Sequence, residues 1–130
     1  MVRISDFDIL RILVRNSRTS YVKIAKKLNV SEAAIRKRVK KMEKEGIIER
    51  YTININPQKL GIIRVIIGLD TLPEFLFKTL KRVKEMREAV NVASSHGDHM
   101  ILVEAWFQNT KELEEFILKL ESIEGTTRVC

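Results

Sequence analysis

The residues best placed to do chemistry in this chain are cations at helical spacing. Ala33, Arg36, Lys37, Lys40 and Lys44 recur every three or four positions, so on an α-helix they share one face. Ile35, Val39 and Met42 fall on the other face, where they can be buried. A rod of that width, with one small residue among four cations, fits the major groove of B-DNA. Arg36 and Lys37 are the candidates for base edges, since an arginine forks onto the two acceptors of guanine. Ala33 suits a thymine methyl. Lys40, Lys41, Lys44 and Arg38 suit phosphates, which fix position without reading sequence. Arg38 has a second reading, an ion pair with Asp6 or Glu43 that holds helices together.

The charge balance points the same way. The net charge is +7, but residues 1–50 hold 14 Lys+Arg against 6 Asp+Glu, whereas residues 51–130 hold 10 against 11. The whole excess lies with the basic helix, which implies a nucleic-acid-binding front and a nearly neutral back. A merely well-solvated surface does not segregate charge by segment.

Catalytic constellations are absent from the sequence. It has no Gly-rich phosphate loop, no zinc-ligand set and no nucleophile beside an evident histidine base, so neither an enzyme nor a cofactor is expected. His96, Asp98 and His99 flank a turn and come nearest to a metal set, but two histidines without further ligands read as turn residues. The lone Cys130 excludes an internal disulfide framework. No run approaches the roughly 18 apolar residues of a membrane helix. The start, Met1-Val2-Arg3-Ile4-Ser5-Asp6, lacks a signal-peptide pattern, so a cytoplasmic protein without membrane contact is expected.

Several elements must position the basic face. Ser5 with Asp8 reads as a capping box opening an amphipathic helix, with Phe7, Ile9, Leu10, Leu13 and Val14 as its apolar side. Ser20 caps a second helix, Tyr21 to Leu28, and Ala25 is small where two helices would cross. Asn29-Val30-Ser31 is the turn, Ser31 caps the basic helix, and Gly46 ends it. Ile47 to Ile55 is β-branched and partly alternating, so it reads as an extended strand, either a wing with Arg50 and Tyr51 near the DNA backbone or a linker. Ile62 to Asp70 is a strand apolar at nearly every position, hence central or covered on both sides. A helix from Pro73 to about Arg87 follows, its stripe being Phe75, Leu76, Leu80 and Val83. Strands Val90–His96 and His99–Phe107 flank a Gly97-Asp98 turn, and Trp106 and Phe107 read as core or dimer interface. Asn109-Thr110 caps a last helix to about Glu121. The order β-α-β-β-α is ferredoxin-like with its fourth strand truncated or missing from Gly125 onward. Such a gap would bare a sheet edge for another element or a partner chain.

These residues resemble the Lrp/AsnC (feast/famine) family of transcriptional regulators over nearly the whole length. The likeness lies in Asp-x-x-Ile-Leu of the first helix, Ile-Ala-x-x-Leu-x-Val-Ser, and Arg-x-Val-x-x-Met-Glu-x-x-Gly-Ile-Ile. It continues in Tyr51, Asn56-Pro57, Leu60-Gly61 and Gly97-Asp98. The resemblance implies an α+β chain: a (winged) helix-turn-helix head at 1–50, a linker strand and turn at 51–61, and a ferredoxin-like domain at 62–130. That last domain would dimerise and sense small molecules, often amino acids, and dimers would assemble further, into tetramers or octamers. The expected function is sequence-specific binding of double-stranded DNA through Ser31, Ala33, Arg36, Lys37, Arg38, Lys40, Lys41, Lys44, Arg50 and Tyr51. The alternatives are a small-molecule-binding or assembly module and a nonspecific, chromatin-like binder. The effector turn would be Gly97, Asp98, His99 and Met100. Met100 stands where the family usually has an acid, and a thioether cannot accept from an ammonium group as a carboxylate does.

Overall fold

A computed structural model describes residues 4–130; Met1, Val2 and Arg3, the start of the N-terminal stretch read above, lie outside it. The chain divides into two compact units, the first ending at Asn54 and the second running from Ile55 to Cys130.

The first unit is three helices: α1 (Asp6–Arg15), α2 (Tyr21–Leu28) and α3 (Glu32–Lys44). A serine in extended conformation opens each. The Oγ atoms of Ser5, Ser20 and Ser31 accept from the amides of Asp8, Lys23 and Ala34 at 3.2, 3.2 and 3.1 Å. Such a cap contributes about 1 kcal/mol. At α1 the box is complete, because the Ser5 amide also donates to Asp8 at 3.0 Å. α2 ends at Asn29, which takes the left-handed conformation (φ 59°) that asparagine tolerates better than most residues. The Val30 amide then donates to the Ala25 carbonyl at 3.0 Å and turns the chain toward α3. Gly46, at φ +76°, ends α3.

Ile9, Leu13, Ile24, Ala25, Ile35, Val39 and Met42 form the core of this unit. Phe7 and Val14, read as part of the apolar side of α1, are instead 63% and 84% exposed. They lie one heptad apart, across the helix from Ile9 and Leu13, and Arg11 packs over the Phe7 ring at 5.1 Å. Ile47 to Asn54 takes no strand partner. A strand needs a neighbouring strand, and among its described residues this unit has none, so the stretch is a connector and not a strand of a hairpin wing.

The second unit begins with the short helix α4 (Pro57–Leu60) and strand β1 (Ile63–Thr71). A 3-10 turn at Pro73–Phe75 leads into α5 (Leu76–Lys84), followed by β2 (Ala89–Ser94), β3 (Ile101–Phe107), α6 (Thr110–Glu121) and β4 (Thr126–Val129). The sheet order is β2-β3-β1-β4, with every pair antiparallel, the arrangement of a ferredoxin-like βαββαβ unit. The fourth strand is therefore present, though short. It pairs Val129 with Leu69 and Arg128 with Asp70, and Cys130 exchanges two backbone hydrogen bonds with Gly68 at 2.8 and 2.9 Å. Four residues are too few to display a period, so the segment was invisible to pattern reading. The ladder covers only part of β1, and no described strand pairs with residues 64–66 on that side.

Both helices lie on one face of the sheet. Ile67 and Leu69 of β1, opposite Val103 and Ile101 of β3, pack beneath Val83, Met86, Phe116 and Leu120. The rings of Phe107 and Phe116 meet at 5.4 Å, tilted by 51°. The other face is open. Ile66 is 62% exposed there, beside Leu102, Glu104 and the half-buried Trp106, so β1 is central in the sheet but covered on one side only. Within the α5 stripe, Thr79 is 1% exposed and its Oγ1 has no hydrogen-bond partner among the described residues. A buried hydroxyl without a partner costs stability, and valine has nearly its shape. Thr79→Val should raise unfolding stability by about 1 kcal/mol, measured by thermal or urea unfolding; a loss would show that the hydroxyl has a partner in solution.

Candidate nucleic-acid interface

With Ile35, Val39 and Met42 buried, α3 has one orientation left for its cations. Ala33, Arg36, Lys37, Lys40, Lys41 and Lys44 are all exposed, and Lys37 lies almost opposite the buried stripe. Ser31, at the start of the helix, is exposed as well, its Oγ already accepting from Ala34. Lys37, Lys40 and Lys44 form no ion pair with any described residue. Lys41 has only a loose pair with Glu45, at 3.9 Å.

Two arginines are engaged. Arg36 lies on the flank toward α2, bonded to Glu32 one turn before it and set over the Tyr21 ring at 5.7 Å. Arg38 points to the other side, where its Nη1 meets Asp6 at 3.1 Å and ties α3 to the start of α1. That is the structural alternative read for Arg38, and it leaves the guanidinium half-buried, away from the outward face. Both arginine pairs are solvent-exposed, so each contributes little to stability and can exchange.

Tyr51 and Arg50 follow α3. The Tyr51 hydroxyl donates to Glu43 Oε2 at 2.9 Å, and partial burial together with that carboxylate pushes its pKa up to about 12. Tyr51, Tyr21, Ser17 and Glu43 line an open concavity of about 400 Å³ in the first unit. Tyr51 is thus anchored to α3, and Arg50 is exposed beside it.

The turn read as an effector site is organised by a residue the sequence did not mark. Asp70, near the end of β1, accepts from the Met100 amide at 2.9 Å, from His99 Nδ1 at 3.2 Å and from Arg128 Nε at 2.9 Å. Arg128 also donates to the Asp98 carbonyl at 3.3 Å. The His99 imidazole sits over Gly68, in the space a Cβ at position 68 would need. Because Asp70 captures His99 and Met100, β3 starts at Ile101 and not at His99, and β2 stops at Ser94. Gly97 and Asp98 stay exposed in the turn, as does His96. Among the described residues no three His, Cys, Asp or Glu side chains lie close enough to hold a metal ion. Asp70 and Arg128 are 58 positions apart in the chain and pair only through the sheet, so no local pattern could reveal them.

The Met100 amide, then His99 and Arg128, hold the Asp70 carboxyl below the usual carboxylate range. Its contribution to stability is therefore complete above the unfolded value, about 3.9, and is lost as pH falls through the depressed folded value. Asp70→Asn should be less stable than the parent chain at neutral pH, and the difference should shrink on acidification below about pH 4. Parallel stability curves across that range, by chemical denaturation at stepped pH, would contradict this account.

A model of winged helix-turn-helix DNA-binding domains matches residues 3–49. The chain is 46% identical to the HTH-type transcriptional regulator LrpA of Pyrococcus horikoshii, covering 100% of this chain and 94% of that protein. It is 38% identical to the HTH-type transcriptional regulator LysM of Saccharolobus solfataricus, covering 93% and 84%. The crystal structure of PH0061 superposes with a TM-score of 0.76 at 27% identity, covering 100% of this chain and 91% of that one. The structure of Escherichia coli AsnC superposes at 0.61 with 25% identity, covering 98% and 89%. No described helix is long and apolar enough to cross a membrane. Exposed cations on a capped, core-locked helix, a ferredoxin-like second unit and relatives at this identity over the full length agree: the chain belongs to the Lrp/AsnC family of DNA-binding transcriptional regulators and is not an enzyme.

Proposed function

We propose that this regulator reads specific DNA sites as a homodimer or larger assembly in the cytoplasm, with α3 in the major groove. The observation that carries the reading is the outward face of α3. There Ala33, Lys37, Lys40 and Lys44 are exposed, and none of the three lysines is ion-paired with a described residue. Lys37 and Arg36 serve base edges, Arg36 by exchanging Glu32 for guanine acceptors, and Ala33 leaves room for a thymine methyl. Lys40, Lys41 and Lys44 serve phosphates, and in this reading the exposed Ser31 and Arg50 serve the DNA backbone as well. Arg38 and Tyr51 act by holding α3 in place through Asp6 and Glu43.

The open sheet face, with Ile66, Leu102 and Trp106, is the surface on which a second copy would pair. Two heads so joined suit half-sites about 10 bp apart, or a multiple, on a pseudo-palindrome. Small-molecule modulation is the less supported part of the reading. At the turn Asp70 is already occupied, Met100 offers no acceptor for an ammonium group, and Asp98 is the one exposed carboxylate. A small response to amino acids is therefore expected.

Footprinting over a range of salt tests the main reading. Protection repeating about every helical turn and falling steeply with salt supports a multivalent, sequence-specific regulator. Uniform weak protection would replace it with a nonspecific, chromatin-like binder, and no binding at low salt would leave an assembly module. Arg36→Ala should cost about 1–3 kcal/mol and relax preference at one base pair. Lys40→Ala should weaken all sequences alike and reduce the salt slope by about 1. Equal loss on every sequence for Arg36→Ala would remove its base-reading role. In thermal-shift assays, amino acids should move the melting temperature slightly and Asp98→Asn should abolish that shift; a large shift that survives Asp98→Asn would place the site elsewhere.

A further inference from the structure

α3 carries two acids among its cations, and helical spacing puts both on one flank. Glu43, near the end of the helix, is occupied by the Tyr51 hydroxyl at 2.9 Å. Glu32 is the first residue of α3, directly after the Ser31 cap, and among the described residues Arg36 is its one partner. The two side chains are 43% and 52% exposed, so the pair can exchange. Tyr21 of α2 backs the guanidinium, its ring centroid 5.7 Å away. Glu32 thus stands at the N-terminal end of α3, one turn before the arginine that the proposed function puts on a base edge.

The first residues of a recognition helix are those that meet base edges in the major groove. Phosphates and base acceptors repel a carboxylate there. The helix dipole favours an acid in the first turn, but that role asks nothing of the DNA. When Arg36 turns its fork to guanine, Glu32 loses its partner and needs a donor. Two bases offer one in the major groove, cytosine through N4 and adenine through N6. Adenine sets its N7 acceptor beside the amino group, which a carboxylate opposes. Guanine and thymine present acceptors alone. Cytosine is the base that fits. Four residues of helix rise about 6 Å, more than the spacing of about 3.4 Å between base pairs. Glu32 and Arg36 therefore face different pairs.

We propose that Glu32 is a specificity-determining residue, its carboxylate accepting from the N4 amino group of a cytosine in the base pair adjoining the guanine taken by Arg36. The inference rests on the reading of α3 as the helix in the major groove. In the free protein each of the two readers satisfies the other. A matching site supplies guanine to one and cytosine to the other. A site with thymine in place of the cytosine leaves the carboxylate facing an acceptor, and it is rejected. Glu32 thus lowers affinity for DNA in general while widening the gap between right and wrong sites.

Selection from duplexes randomised over two helical turns, read by sequencing, tests this with the whole chain. Parent, Glu32→Gln, Glu32→Ala and Arg36→Ala are compared, and each is titrated against one mixed-sequence duplex at low and high salt. The parent pool should carry cytosine beside a guanine, and Arg36→Ala should relax the guanine. Glu32→Gln should move the favoured base from cytosine to adenine by about tenfold, because an amide forks onto N6 and N7. Glu32→Ala should lose preference at that position. It should also bind the mixed-sequence duplex about threefold more tightly at low salt, a gain that fades as salt rises. A change of favoured base cannot come from a folding defect, and circular dichroism checks that every variant is folded. Unchanged pools for both Glu32 variants, with the guanine relaxed in Arg36→Ala, would overturn this inference alone. A change confined to the guanine would do the same, leaving Glu32 as a support for Arg36. A parent pool without preference, or one that Arg36→Ala leaves intact, would remove the reading of α3 and this inference with it.

Discussion

Burial of Ile35, Val39 and Met42 commits α3 to a single rotation about its own axis, and the rest of the head serves that commitment. A helix that hides one stripe must show the opposite one. Ile24 and Ala25 supply the seat, and the smallness of Ala25 lets α2 and α3 approach. The Ser31 cap and the left-handed Asn29 set where α3 begins, while Arg38 on Asp6 and Tyr51 on Glu43 brace its two flanks. Each of these side groups holds the rod from which the lysines project.

The second unit is organised by sidedness as well. Alternation along β1 and β3 sends Ile67, Leu69, Ile101 and Val103 to the helices and leaves Ile66, Leu102 and Glu104 on the far side. One carboxylate then gathers the pieces that the ladder alone would leave loose. Asp70 holds the turn before β3 through His99 and Met100, and it holds β4 through Arg128. An acid with three partners, one of them an arginine, stays ionised and keeps a four-residue strand in place.

Most of this architecture was legible in the residues. The caps at Ser5, Ser20 and Ser31, the boundaries of α2, the stop at Gly46 and the outward cations of α3 follow from local rules that act within a turn or two of helix. What escaped were relations over distance. Phe7 and Val14 are as apolar as Ile9 and Leu13, and only the side of α1 that meets the other helices decides which pair is buried. The stretch from Ile47 has strand-like composition but no described strand to pair with. The strand at Thr126–Val129 has a neighbour but almost no composition to announce it. Arg36 reads as an unattached cation until Glu32 and Tyr21 are seen on either side of it. The candidate DNA face was thus readable as a set of residues, whereas the partners that restrain its members were not.

The close approach of His99 to Gly68 has a consequence for how this sequence can change. The imidazole fills the volume that any side chain at position 68 would occupy, and its bond to Asp70 keeps it from swinging aside. Substitution at position 68 is therefore closed while the histidine remains, whereas position 99 can be shortened first at the expense of one hydrogen bond. Drift through this pair runs in one order, 99 before 68. A descendant with a bulky residue at 68 will have passed through an ancestor that had already given up the ring at 99.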